Sequence, residues 1–350
     1  MYTLQATDID NGGEFFRKLN ANFAEAANPQ SSHTDAECRT RFVQEMNKKA
    51  VMLGMSNTTY REPAGDQPQP ASGVDASLYP QLFTSDANTM SAYDALRCML
   101  YAVQYPSIVC ATNISSFTMP VKRGSSTLSE TITHSSSFTT QSAILTAAYD
   151  MLFVKGGTYA QNPLNALSTM VVARSKSTGK VYAIVDMNTT TGTSASDNKY
   201  AQCKKVLDYV DGGNTGTAPT FSRGGIVCID MPHYSPTLWD NFDWANRVDG
   251  NGNPLILFNY YKDYVGYPCS MSKVMTAILL CENFVNLNTM VTIHEADRQP
   301  PSGYDFKAGD IVRLGDLLKC LMVQSSNTSA HVIARVVGGI LLDRDANVME

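Results

Sequence analysis

One segment of the chain reads Tyr267-Pro-Cys-Ser-Met-Ser-Lys-Val-Met-Thr-Ala-Ile-Leu-Leu-Cys281. Its second half is apolar, with Val274 and Ile278 four residues apart, which predicts a helix. Ser270 and Lys273 stand three residues apart at the start of that helix and would project from the same side. A serine hydroxyl is a weak nucleophile unless a base takes its proton, and a partly neutral lysine amine can do so. The segment therefore predicts the catalytic centre of a serine acyl-transfer enzyme.

The Ser-x-x-Lys pattern is weak evidence by itself, because the chain contains it three times. Ser177–Lys180 falls in a predicted hairpin turn and Ser196–Lys199 in a serine-rich loop, so both are expected to be solvated surface. Only Ser270 follows a proline and opens an apolar helix, where backbone N–H groups at the helix N-terminus can face its hydroxyl. We therefore select Ser270 as the candidate nucleophile.

A second candidate element is Ser325-Ser-Asn327, which joins two predicted helices. A serine in such a turn can bridge a lysine and a leaving group, and an asparagine amide can bond both a lysine and a substrate amide. The alternative is that the turn simply caps the next helix. The tripeptide Ser196-Asp-Asn198 has the same Ser-x-Asn pattern. It lies just before another predicted helix, where helix capping is the better interpretation.

The third candidate element is Lys155-Gly-Gly-Thr158, beside the strands of a predicted hairpin. A lysine on a strand edge, next to residues without side chains, would let a substrate carboxylate and backbone come close. Taken alone, the same residues fit a flexible glycine turn better. The element gains weight only in combination with the other two.

Length and composition exclude several classes of protein. A chain of 350 residues can bury a large core, and its net charge of −5 gives no indication of a nucleic-acid surface. No run approaches the ~18 apolar residues of a membrane helix. Residues 1–10 lack the basic start and apolar core of a signal peptide, so we expect an intracellular protein or one whose leader was removed. Eight cysteines without a Cys-x-x-Cys pair favour buried thiols over a zinc or thioredoxin-like site.

The periodicity of apolar residues, together with the positions of glycine, proline and capping residues, predicts most of the secondary structure. The predicted helices are Glu14–Ala27, Thr40 to Leu53, Ser91 to Gln104, Asp197 to Gly212, Ser270 onward, Leu314–Val323, and Asn327 to Val337 ended by Gly338-Gly339. The predicted strands are Ala166–Arg174 and Lys180–Met187 as a hairpin, Gly225–Asp230, Leu255–Asn259 and Met290–Ile293, with short strands throughout 107–145 and loops over 56–90.

Together the three elements resemble those of the serine penicillin-recognising family, which uses Ser-x-x-Lys, Ser-x-Asn and Lys-Thr/Ser-Gly. The resemblance is strongest to the D-alanyl-D-alanine carboxypeptidase branch of the penicillin-binding proteins. Pro268–Thr276 looks like its Pro-Ala-Ser-x-x-Lys-x-Met-Thr, Phe306–Leu318 is similar to its Leu-x-x-Gly-Asp stretch, and Phe42–Met55 resembles its Phe-Val-x-x-Met-Asn … Leu-Gly-Met. The similar segments cover roughly residues 40–210 and 224–340.

The order of these segments departs from that of the family. There, Ser-x-x-Lys and Ser-x-Asn come before the Phe-Val-x-x-Met-Asn segment and Lys-Thr/Ser-Gly, whereas here the last two come first. The chain looks circularly permuted: residues 1–212 correspond to the family's C-terminal half, 213–223 to a linker and 224–350 to its N-terminal half. The two halves would form one catalytic domain. The alternatives are a window of a tandem array and a domain-swapped dimer in which two chains complete each other.

A second departure is chemical, because Gly156 stands where the family has Thr or Ser. That hydroxyl binds the substrate carboxylate in the family. Its loss would weaken binding by ~1–3 kcal/mol if a buried carboxylate loses a partner. Either Thr158 compensates or the substrate differs.

The resemblance implies a mixed α/β (α+β) fold of the β-lactamase/transpeptidase type, with an antiparallel sheet, helices on both faces and a helical subdomain. It implies Ser270 as nucleophile and Lys273 as base. Ser325 and Asn327 would relay protons and hold the substrate amide. Lys155, followed by the small residues of its motif, would bind the terminal carboxylate.

The backbone N–H groups of Ser270 and Thr158 would form the oxyanion hole beside Gly156 and Gly157. The implied reaction removes the terminal D-Ala from peptidoglycan stem peptides through an acyl-enzyme, and β-lactams would acylate Ser270. No metal or cofactor is implied. The family works in the cell envelope, outside the cytoplasm. A β-lactamase or esterase on the same site, and a non-catalytic peptidoglycan-binding homologue, remain as alternatives.

Overall fold

The computed structural model describes residues 32–65, 87–159, 166–231, 234, 255–284, 286–299 and 302–348. Within them lie eight α-helices, two short 3₁₀ turns (Cys269–Ser272 and Glu295–Asp297) and eleven β-strands. The helices are α1 (Asp35–Met52), α2 (Ala92–Ala102), α3 (Pro106–Asn113), α4 (Ser136–Thr146), α5 (Lys199–Asp211), α6 (Lys273–Asn283), α7 (Leu314–Val323) and α8 (Asn327–Val348). The strands are β1 (Met90–Ser91), β2 (Ser116–Arg123), β3 (Ser126–Thr133), β4 (Tyr149–Tyr159), β5 (Ala166–Ser175), β6 (Val181–Met187), β7 (Gly225–Asp230), β8 (Phe258–Tyr260), β9 (Val265–Gly266), β10 (Met290–Thr292) and β11 (Ile311–Arg313).

A five-stranded antiparallel sheet in the order β4-β5-β6-β7-β8 forms the centre of the fold. Its inner strands are buried on both faces, so successive residues enter different cores. On β5, Val172 joins the core formed with α2, α6, α7 and α8, whereas Val171 joins the core formed with α5. The sheet is therefore covered by helices on both faces, and β4 forms one of its edges.

In every sheet that the structure describes, a strand from segment 32–212 pairs with a strand from segment 224–348. In the central sheet β6 pairs with β7, so that Tyr182 lies opposite Asp230. A four-stranded sheet has the order β10-β11-β2-β3, and a small one pairs β1 with β9. Segments 32–212 and 224–348 therefore share their sheets and one large core, giving a mixed α/β architecture with antiparallel sheets.

Helices α1 and α8 bring the outer parts of the described chain together. His33 Nε2 lies 3.1 Å from Asp343 Oδ1. The carboxylate of Asp297 is fully buried and accepts hydrogen bonds from Arg335 on α8, with Nε and Nη2 within 3.0 Å, and from Arg39 on α1 at 3.3 Å. One buried ion network thus joins the first described helix with the last.

Many predicted elements are confirmed with small shifts of their ends. The helix predicted from Thr40 is α1, and Ser91 caps α2 by accepting from Asp94 N. The 166–187 hairpin is β5 and β6, and Leu314–Val323 is α7. The strand predicted at Leu255–Asn259 begins later, as β8. The predicted helix Glu14–Ala27 and residues 66–86 of the predicted loop lie outside the described residues.

The prediction of short strands throughout residues 107–145 is wrong for about half of the segment. Only β2 and β3 are strands, and helices α3 and α4 flank them. Pro106 opens α3, where a missing N–H costs nothing, and Ser135 caps α4 by accepting a hydrogen bond from Phe138 N. The abundant serine and threonine residues of this segment obscured these helix starts.

The predicted helix end at Gly338-Gly339 is also wrong, because α8 continues to Val348. A Cβ atom at position 338 would overlap the backbone carbonyl of Cys38 on α1. The glycine therefore permits the close crossing of α1 and α8, and does not end the helix.

Candidate active site

Ser270 lies in the 3₁₀ turn that leads into α6. The preceding residue, Cys269, has φ of 50°, in the left-handed region that costs a non-glycine residue about 1–2 kcal/mol. The edge strand β4 packs against this turn, since a Cβ at Gly157 would overlap the carbonyl oxygen of Pro268. Strained backbone of this kind persists only where its surroundings fix it, and such positions cluster at functional sites.

The amine of Lys273 is held directly beside the Ser270 hydroxyl. Lys273 is completely buried, and its Nζ donates to Ser270 Oγ at 2.9 Å, Asn327 Oδ1 at 2.6 Å and Ala64 O at 2.6 Å. These acceptors fix the amine at hydrogen-bond distance from the hydroxyl. The predicted pair from the Ser-x-x-Lys element is therefore in contact, with the asparagine of the second element as a shared neighbour.

In the turn between α7 and α8, one polar side chain caps a helix and its neighbours contact the lysines of the site. Ser326 Oγ accepts from Ser329 N at 3.1 Å and so caps α8. Ser325, with φ of 60°, instead accepts a hydrogen bond of 2.8 Å from Lys155 Nζ, while Asn327 contacts Lys273. Capping and site contacts thus occur in the same turn, on different side chains.

Lys155 occupies the edge strand β4, as the sequence predicts. Its side chain is buried, and its Nζ reaches Ser325 Oγ and, at 3.3 Å, the carbonyl of Gly156. Burial, together with the neighbouring charges of Lys273 and Lys199, holds the pKa of Lys155 well below its usual range. The amine can therefore give up a proton to its hydroxyl partner more readily than an exposed lysine would.

Lys199 is the site residue that motif reasoning missed. The expectation that Ser196–Lys199 is solvated is correct for Ser196, but Lys199 is only 5% exposed. Asn198 caps α5 by accepting from the N–H of Tyr200 and of Ala201, which makes Lys199 the first residue of the helix. From there its Nζ donates to Gly157 O at 2.9 Å and Thr158 Oγ1 at 3.0 Å. Because burial disfavours its charged form, the pKa of Lys199 is lowered to about 8.

The amine of Lys199 fills the space beside Gly156. A Cβ at position 156 would lie 2.8 Å from Lys199 Nζ and 3.0 Å from the Tyr200 hydroxyl. A threonine or serine there would have to displace the lysine. Compensation by Thr158 was one of the two alternatives for the missing hydroxyl, and the Thr158 hydroxyl accepts a hydrogen bond from Lys199.

These side chains line one cavity of about 240 Å³. Ser270, Ser325, Lys155, Gly156, Thr158 and Lys199 contribute to its wall, with His134, Ser135 and Phe138 from β3 to α4. Among the described residues, the wall contains no aspartate or glutamate. Two lysines without an opposing carboxylate favour an anionic ligand.

No metal site accompanies this cavity in the described part of the chain, where no group of His, Cys, Asp or Glu could hold an ion. The described helices include none that is both long and apolar enough to cross a membrane.

Comparisons of the chain with protein-family models, with curated proteins and with solved structures gave no match. The chemistry of the cavity is therefore inferred from the contacts among its own residues.

Proposed function

We propose that this chain is a serine D,D-carboxypeptidase-like penicillin-binding protein with a circularly permuted order of elements. The observation that carries the proposal is the convergence of three separate sequence elements on one cavity. Lys273 Nζ lies 2.9 Å from Ser270 Oγ, and the turn at Ser325 supplies an amide to Lys273 and a hydroxyl to Lys155. Three elements scattered over the sequence would not meet in this way if each were only a cap or a turn.

The contacts support a defined acylation step. Ser270 Oγ attacks the carbonyl carbon of the penultimate residue, and neutral Lys273 takes the hydroxyl proton. The lysine can keep donating to Ala64 O and Asn327 Oδ1 while its lone pair faces Ser270, because these acceptors lie on its other N–H bonds. The C–N bond then breaks, and the proton that Lys273 took from Ser270 is passed through Ser325 to the leaving amine.

Water completes the reaction by hydrolysing the Ser270 ester, which restores the hydroxyl and releases the shortened peptide. In the same scheme a β-lactam acylates Ser270, because its ring amide stands in for the D-Ala-D-Ala bond. No carboxylate lines the cavity in the described part of the chain, so no residue there is placed like a glutamate that activates water. This favours a slow release of β-lactams over a fast β-lactamase.

The architecture is consistent with the transpeptidase-like fold that the resemblance implies. An antiparallel sheet with helices on both faces carries Lys155 on its edge, next to the turn of Ser270. The proximity of His33 to Asp343 supports a permutation, since the first and last described segments lie side by side and would be continuous in the family's order. All the site contacts described above lie within one chain, so the proposal does not require a domain-swapped dimer. Peptidoglycan as substrate would place the protein in the cell envelope.

The proposal is tested by D-Ala release from a peptide ending in D-Ala-D-Ala. We expect turnover by the wild type and by Ser177→Ala, which removes an exposed serine of another Ser-x-x-Lys pattern, and none by Ser270→Ala. Nitrocefin hydrolysis measured in parallel should be slow. Turnover that persists in Ser270→Ala, or a folded wild type without any, would overturn the proposal.

A further inference from the structure

Lys199 is a buried cation whose charge no described residue neutralises directly. Its Nζ donates to Gly157 O and Thr158 Oγ1, which accounts for two of the three N–H bonds of an ammonium. No carboxylate lies within ion-pair distance of it among the described residues, and Lys155 adds repulsion. A buried, unpaired charge is costly, so this position favours an anion that arrives with the ligand.

The nearest buried acid does not remove that need. Asp186, on β6, attracts Lys199 without forming an ion pair with it, and its Oδ2 has no hydrogen-bond partner. Burial raises the pKa of Asp186 to about 7, so part of the population carries no charge at neutral pH. The cavity therefore keeps an excess of positive charge on the side of β4.

Gly156 and Lys199 depend on each other sterically. The amine stands 2.8 Å from the point where a Cβ at position 156 would lie, on the cavity side of β4. A hydroxyl-bearing residue at 156 and the present position of Lys199 exclude each other. A side chain at position 156 would therefore require the Lys199 amine to move.

We propose that Lys199 binds the terminal carboxylate of the substrate in place of the hydroxyl missing at Gly156, and that Lys155 and Lys199 together restrict the site to peptides with a free C-terminal carboxylate. This inference rests on the proposed function for the identity of the substrate. A carboxylate bound beside both amines favours their protonated forms and accepts the remaining N–H of Lys199. A C-terminal amide does neither.

The test is a binding measurement that needs no catalysis. In a Ser270→Ala background, calorimetry compares a peptide ending in D-Ala-D-Ala with the same peptide carrying a C-terminal amide. We expect the free carboxylate to bind about 10- to 100-fold more tightly. Lys199→Met, which keeps the side-chain volume without the charge, should lose most of that preference, while Lys199→Arg should keep part of it. Lys205→Met, at an exposed position of the same helix, serves as the control.

A steric exchange makes the test independent of simple damage to the fold. Gly156→Thr alone should lose the preference, because the new side chain displaces the amine. The double variant Gly156→Thr with Lys199→Ala should recover part of it. The inference is overturned if the preference persists in Lys199→Met, or if the parent protein has none. Acylation of Ser270 by a penicillin is measured separately, so the proposed function can fail or hold regardless of this result.

Discussion

The site around the cavity has two sides that the chain builds in different ways. The nucleophile side consists of Ser270, Lys273, Ser325 and Asn327; the anion side consists of Lys155, Gly156, Gly157, Thr158 and Lys199. On the nucleophile side, the decisive contact joins residues one helical turn apart. On the anion side, it joins an edge strand to the first residue of a distant helix. Local spacing therefore reveals the contact between Ser270 and Lys273, whereas only the folded chain reveals the contact of Lys199 with β4.

The two sides also carry charge differently. Lys273 is surrounded by polar acceptors, one of them the nucleophile, as suits a group that exchanges a proton with Ser270. Lys155 and Lys199 face a cavity without a described carboxylate and repel each other. The first arrangement suits proton transfer, and the second suits binding of an anion. Variants that act on one side and not on the other can test this division.

The largest effect is expected from Lys273→Met, which removes the base on the nucleophile side. General-base catalysis contributes about 10²- to 10⁴-fold, so acylation by a penicillin should slow by that factor. Lys180→Met changes the exposed lysine of another Ser-x-x-Lys pattern and should leave the rate unchanged. Stopped-flow measurement of the second-order rate constant of acylation in the wild type and in both variants tests this prediction. Equal rates in the Lys273 variant and the wild type would contradict the assignment of the base.

The next effect concerns the buried ion network that joins α1 with α8, the helix that carries Asn327. Asp297→Asn leaves Arg335 and Arg39 without their carboxylate, and breaking a buried ion pair from one side costs about 3–5 kcal/mol. Urea unfolding should show that loss in the free energy of unfolding. Asp305→Asn, which removes an exposed carboxylate paired with Lys307, should change it little. Similar losses in both variants would contradict a special role for the Asp297 network.

A smaller effect is expected from the two serines that precede Asn327. Ser325→Ala removes the hydroxyl that Lys155 contacts, and we expect acylation to slow by about 10²-fold. Ser326→Ala removes the cap of α8 and should cost about 1 kcal/mol of stability with little change in rate. Rate constants and thermal unfolding of both variants separate the roles. A slow Ser326 variant with a normal Ser325 variant would reverse the assignment.

The smallest effect is a pH dependence on the anion side. The groups that face Lys199 are Lys155 on β4, Asp186 on β6, Cys203 on α5 and Cys269 in the 3₁₀ turn. Because the pKa of Lys199 is about 8 and only its ammonium form binds an anion, KM for a carboxylate substrate should rise up to about tenfold per pH unit above that value. Lys199→Arg should move the rise to higher pH. An unchanged KM between pH 7 and 9 would contradict the role of the ammonium.

The sequence predicts those parts of the fold in which short-range signals agree. Helix α7 was predicted with its observed bounds because apolar periodicity and the turn at Gln324 coincide there. Helix capping was also predicted at Ser91 and within Ser196-Asp-Asn198. In the structure Ser91 and Asn198 are the caps, because their side chains accept hydrogen bonds from the backbone of the helix that follows. The contact between Ser270 and Lys273 belongs to the same class, because helical spacing sets it.

The features that sequence reasoning missed depend on packing between distant segments. Gly338 was interpreted as a helix end, whereas the crossing of α1 requires it within a continuing helix. Lys199 was assigned to the solvated surface because it follows a serine-rich loop. Its burial arises from the contact of α5 with β4, which no local pattern encodes. The missing hydroxyl at Gly156 was the sequence feature that marked a difference on this side of the cavity.

The central claim is that Ser270 is an acylated nucleophile, and peptide-mapping mass spectrometry after incubation with a penicillin tests it most directly. We predict one covalent adduct, on the peptide that contains Ser270, formed by the wild type and by the Lys180→Met control. The adduct should be absent from Ser270→Ala and slow to form in Lys273→Met. A folded wild-type protein without an adduct, or with the adduct on another serine, would contradict the account.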